Sequence, residues 1–171
     1  MNAFHAGEQA LQARAGVQAQ MAQIGPRVMR DHMPDQHREF FGLLPFVLVG
    51  SVDARGQPWA SVLAGAPGFM DSPGPTQLRI RAQPLPHDPL NTTLREGAPL
   101  GLLGIQPQTR RRNRMNGTAH LHDDGLLVEV GQSFGNCPKY IQAREPLWLP
   151  GAPGGQVAHQ GPGLDEASRQ L

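Results

Sequence analysis

The sequence predicts a mainly β protein with short helices, built as a small six-stranded antiparallel barrel. Three observations carry this expectation. Short apolar or alternating runs recur along the chain, each bounded by turn-forming residues. Gly and Pro are abundant, at 21 and 17 of 171 residues, which favours turns over a helical bundle. The helical stretches between the runs are too short for a doubly wound α/β sheet.

Residues 1–30 are expected to form an N-terminal helical segment. Over 5–24, Ala10, Leu11, Ala15, Gln18, Met21 and Ile24 fall roughly on one helix side, and Gly25-Pro26 should end it. Residues 31–145 form the barrel domain. It opens with a helix from Pro34 to Leu43, with Asp35 and Glu39 near its start and Phe40, Phe41 and Leu44 on its buried side. Phe46–Val52 and Trp59–Ala64 read as a hairpin around Asp53–Pro58. Gly65–Met70 leaves the second strand irregularly, and Asp71–Pro75 is turn-like. Thr76–Ala82 alternates apolar Leu78 and Ile80 with Arg79 and Arg81, as a strand with one wet or ligand-facing side does. Asp88 is a suitable N-cap for a helix over 89–96. Residues 99–105 are apolar on both faces, which suits a central strand.

Next comes Arg110-Arg111-Arg112-Asn113-Arg114-Met115-Asn116-Gly117. Extended, it places Arg110, Arg112 and Arg114 on one face and Arg111, Asn113 and Met115 on the other. Guanidinium groups in a row can form bidentate bonds to phosphate or carboxylate. A charged edge strand that resists aggregation is the plainer reading. Asp123-Asp124-Gly125 turns the chain into a strand over 126–131. Asn136 and Pro138 should open a last helix over 138–144. Residues 146–171 read as a Pro/Gly-rich tail and the start of a C-terminal helix.

A formal charge of +1 and few aromatic residues point away from nucleic acid, so any basic function is local. The single Cys137 cannot form an intrachain disulfide and fits a reducing cytoplasm. No basic segment followed by an apolar run marks a signal peptide, and no stretch is long and apolar enough for a membrane helix. His120 and His122 share a strand side, but no Cys or carboxylate cluster completes a metal site. Neither a Rossmann glycine fingerprint nor a Walker loop is present.

Several segments together resemble a known family. They are Met33–Phe41, Ser51-Val52-Asp53, Gly56–Ser61, Pro67-Gly68-Phe69, Arg110–Gly117 and Phe134–Ile141, spread over about residues 31–145. In order and spacing they resemble the FMN-binding split-barrel superfamily, the pyridoxamine 5′-phosphate oxidase-like proteins. Within it they look most like the bacterial flavin-nucleotide-binding branch. The resemblance implies a six-stranded split barrel that dimerises and holds FMN in a cleft between two barrels, as an oxidoreductase. It places Trp59–Leu63 beside the isoalloxazine ring, and Leu78–Ala82 with the following loop near the phosphate. On that basis Trp59, Ser61, Arg79, Arg81, Arg112 and Arg114 are the cofactor-binding candidates. No catalytic acid, base or nucleophile is singled out.

An alternative from another class is a non-catalytic dimerisation or docking domain that has lost flavin binding. Its motive is the loop Gln83–Asp88, which carries no Lys or Arg where the oxidases have a basic phosphate loop.

Overall fold

The computed structural model describes residues 3–135, 140–147, 163 and 166–170. Among the described residues seven antiparallel strands form one sheet: β1 (Phe46–Val52), β2 (Pro58–Ala64), β3 (Met70–Gly74), β4 (Gln77–Ile80), β5 (Pro99–Gln106), β6 (Arg111–His122) and β7 (Gly125–Gly135). Their order across the sheet is β2-β1-β5-β6-β7-β4-β3. The sheet is open, since β2 and β3 are its two edges. Mainly β architecture with short helices is therefore present, with seven strands where six were expected.

The additional strand is β3. Its sequence, Met70-Asp71-Ser72-Pro73-Gly74, has turn chemistry, and its register to β4 shifts between Asp71 and Gly74. An edge position tolerates Pro73, whose missing N–H would break the ladder of a central strand. Tertiary pairing here overrides local preference.

Alternation along the strands separates two faces. Inward, Val47, Val49, Leu63, Leu78, Ile80, Leu100, Leu102, Met115, Leu126, Val128 and Val130 are buried in one core. Helix α3 (Asp35–Gly42) packs on this face through Phe40 and Phe41, whose rings meet edge to face at 5.7 Å. Gly104 on β5 makes room for them, because a Cβ there would lie 2.9 Å from each ring. Arg111 lies 4.7 Å over the Phe40 ring, a cation–π contact that ties the arginine strand to α3.

Several boundaries depart from the sequence reading. The N-terminal helix is two, α1 (Ala6–Arg14) and α2 (Gln18–Val28), because Gly16 takes φ +69 and breaks the run. Gly25-Pro26 does not stop α2, whose last turn contains Pro26. Helix α4 is only Leu90–Thr93, ending where Leu94 becomes extended. Arg110 lies outside the strand at φ +58, as the cap of the 3-10 turn Pro107–Thr109, so it does not share a face with Arg112 and Arg114.

Of the helix expected over 138–144, residues 138 and 139 lie outside the described residues. Tyr140 is in a turn and 141–147 have no regular structure. That segment has too few apolar residues at helical spacing to form a buried stripe. Cys137 also lies outside the described residues. Helix α5 (Glu166–Arg169) corresponds to the short C-terminal helix. Among the described residues no helix is long and apolar enough to cross a membrane.

Candidate functional site

Arg112 and Arg114 project from the outer face of the sheet. Strand register fixes their neighbours: Arg112 is opposite Ile105, and Arg114 lies between Leu103 on β5 and Phe134 on β7. The same row continues through Leu48 on β1 to Val62 on β2. It therefore reads Val62-Leu48-Leu103-Arg114-Phe134 across five strands. Directly opposite residues on one face lie about 5 Å apart and interact. An apolar sheet surface thus ends against two guanidinium groups. Val62 is 42% exposed and Val52, at the same face, 47%. Beside this row, Gly50 and Gly101 face each other, leaving the backbone uncovered. At the other end an apolar cleft of about 450 Å³ is lined by Leu43, Pro45, Phe46, Ile105 and Pro107 among others.

Arg79 and Arg81 lie elsewhere. Arg79 donates two bonds to Asp71, from Nε at 3.1 Å and from Nη2 at 2.7 Å. Arg81 donates to the same carboxylate, and its Nη2 reaches the Gly68 carbonyl at 2.8 Å. The hydrogen bond from Arg79, followed by that from Arg81, outweighs partial burial and lowers the Asp71 pKa. Arg79 is level with His120 through Leu127. Arg114 is six residues back along β6, so about 20 Å of strand separates the two arginine pairs. One chain does not bring them together.

Ser61 faces inward and is buried. Its hydroxyl donates to Asp88 Oδ1 at 2.6 Å, and the same oxygen accepts from the Leu90 backbone N–H at 2.8 Å. Asp88 therefore satisfies the first N–H of α4, one residue before its N-cap Pro89, and ties the helix to β2. Trp59 pairs with Ser51 near the end of the β1–β2 hairpin, and its indole N–H donates to Asp53 Oδ2 at 3.2 Å. It is half exposed and borders a second cavity floored by Gly50 and Gly101.

The inner side of the arginine strand holds residues that the sequence reading did not nominate. A cavity of about 280 Å³ opens between α3 and the start of β6, lined by His37, Arg110, Arg111, Arg112 and Asn113 among others. Arg111 Nη2 donates to the Gln36 carbonyl at 3.3 Å. His37 Nδ1 lies 2.9 Å from Ser133 Oγ. Burial, then the charges of Arg30 and Arg111, push the His37 pKa down, so its ring is neutral at neutral pH. Asn113 is 6% exposed, and its Nδ2 has no hydrogen-bond partner among the described residues. An unmet buried donor costs about 1–3 kcal/mol. The signal was present in the alternation, which set Asn113 on the same face as Met115, a core residue. Only the fold shows that its amide lacks an acceptor among the described residues.

No family model matches the chain, and no curated protein is significantly similar to it in sequence. Among solved structures, a crystal structure of an epitope- and polyhistidine-tagged HupZ from Group A Streptococcus gives a TM-score of 0.48 at 12% identity, over 60% of this chain and 93% of that one.

Proposed function

We propose that the protein binds FMN on the outer face of its sheet and acts as an oxidoreductase of the pyridoxamine 5′-phosphate oxidase-like type, as a homodimer. One observation carries this reading: Arg112 and Arg114 stand directly beside Ile105 and Leu103 on one face. A phosphorylated flavin needs cationic, bidentate donors at one end and a flat apolar bed at the other. Arg112 and Arg114 would hold the phosphate. Ile105, Phe46 and the cleft they border would receive the ring. The flavin supplies the electron or hydride transfer, and the chain supplies orientation and shelter from water. Ser61, Arg79 and Arg81 keep the structural roles described above. A second copy of the chain lying on the row from Val62 to Phe134 would close the site.

The test is the visible spectrum of the purified protein before and after incubation with FMN and removal of free ligand. Retained flavin near one equivalent per chain is expected. The double substitution Arg112→Ala, Arg114→Ala should weaken retention at least tenfold, about 1.4 kcal/mol or more. A folded, dimeric protein that takes up no flavin would overturn the reading.

A second reading, a non-catalytic dimerisation or docking domain, is favoured by one feature. Arg79 and Arg81 are both engaged by Asp71, and the loop Gln83–Asp88 carries no Lys or Arg. A dimer that stays colourless with added FMN is its signature.

A further inference from the structure

We propose that the pocket between α3 and the start of β6 binds a small phosphate-type oxyanion, with Asn113 Nδ2 as the central donor and Arg110 and Arg111 as its charge. Arg112 borders both this pocket and the proposed flavin surface, but Asn113, Arg110 and Arg111 have no part in the flavin site, so phosphate binding here is tested without flavin.

The argument begins with the amide. Asn113 is one of few buried polar residues; it borders the cavity, and its side-chain Nδ2 has no hydrogen-bond partner among the described residues. Buried polar groups in folded proteins are almost always met by protein, water or ligand. The rest of the lining narrows the choice. Three consecutive arginines border the cavity, and no carboxylate is among its described lining residues. Positive charge is therefore concentrated on one side, as an anion requires.

Arg110 adds a further mark. It holds φ +58, a left-handed conformation that disfavours residues with a Cβ. Strain of this kind tends to persist where function over-determines the backbone. Glycine would suit the backbone better but would remove a guanidinium from the pocket mouth. Donors reach the cavity from a strand interior, a turn and the strand start, which suits a tetrahedral group more than a planar carboxylate. A volume of about 280 Å³ is at the small end for ligand sites and fits a phosphate or a small phosphate monoester. His37 stands at the same wall with Arg30 and Arg111 as its charged neighbours. Negative charge in the pocket would offset them.

The experiment titrates the full chain with inorganic phosphate at constant ionic strength near neutral pH, with chloride and acetate as comparators. Thermal melting and calorimetry follow binding, and NMR follows the Asn113 side-chain amide and the His37 ring. Phosphate alone should raise the Tm saturably, shift the Asn113 NH2 resonances on the same curve and raise the His37 pKa. Asn113→Leu should melt no lower than the parent without phosphate, because it removes an unmet donor, yet bind phosphate at least tenfold more weakly. Arg110→Gly should also fold, with its backbone relieved, and bind severalfold more weakly. It carries the test if Asn113→Leu fails to fold. Unchanged phosphate affinity in these variants would overturn the proposal. So would a Tm rise reproduced by chloride or acetate, or Asn113 resonances that do not move.

Discussion

Two histidines show how a single side chain sets a pH response in opposite directions. His37 has its pKa pushed below the ordinary 6.5, first by burial and then by Arg30 and Arg111. Its contribution to stability is full above 6.5 and is lost as pH falls through the lower folded value. His120 is the reverse. Its ring lies 2.6 Å from Glu96 Oε1 and 3.5 Å from Glu129 Oε2, and the Glu96 contact leads in raising its pKa. Its contribution is full below 6.5 and is lost as pH rises through the raised folded value. His37→Gln should therefore flatten the fall in stability on the acid side of 6.5. His120→Gln should flatten the fall on the alkaline side. Urea unfolding across pH reads both slopes. Two variants that flatten the same side would refute the assignment. Neither direction was legible in the sequence, which places both histidines but not the carboxylates or arginines that face them.

At the scale of the element, the arginine strand was the most legible part of the chain. Alternation correctly separated Arg112 and Arg114 from Asn113 and Met115, because a strand allows only two sides. The bulge between Asn116 and Gly117 was hidden, since nothing local announces a register shift. Gly117 is needed there: a Cβ would lie 2.2 Å from the Glu129 carbonyl oxygen on β7. Gly104 is also crowded, but by the ends of side chains, with Leu44 Cδ1 at 2.7 Å. Backbone in a paired strand cannot yield as a side chain can. Gly117→Ala should cost about 3 kcal/mol and Gly104→Ala about 1 kcal/mol, within the usual range for overpacking. Equilibrium unfolding in urea gives both values. The opposite ranking would show that β7 moves more readily than the α3 side chains. The edge strand β3 was illegible for a related reason: its pairing depends on β4, and its own residues favour a turn.

For the molecule as a whole, the sheet has one face filled by the core and another with apolar residues left in view. The mainly β class with short helices was readable from run lengths and turn chemistry, whereas the strand number was not. Nor was the outer apolar row, because it depends on register across five strands, including the long-range join of β1 to β5. A monomer seldom leaves a large contiguous apolar surface uncovered, and the homodimer proposed above would cover this one. Leu48→Asp places a charge in the middle of the row without entering the core. Sedimentation should show the parent as a dimer and the variant as a monomer, with nearly the same urea midpoint. A parent that sediments as a monomer would sink the dimer.

The strand order also determines where the molecule comes apart. Strands β5, β6 and β7 follow one another through short connections and pair over long registers. On either side a hairpin is attached by a much shorter seam, three residue pairs for β1 on β5 and four for β4 on β7. Each seam joins positions about 50 residues apart, so closing either one carries the entropy of a long loop. The central meander can assemble from local contacts, while the flanking hairpins must find it. Partial opening in the native state should therefore release a hairpin as a unit, and the β1–β2 pair is held by the shorter seam. That hairpin also supplies half of the outer apolar row, so whatever covers the row also fastens the hairpin to the central meander.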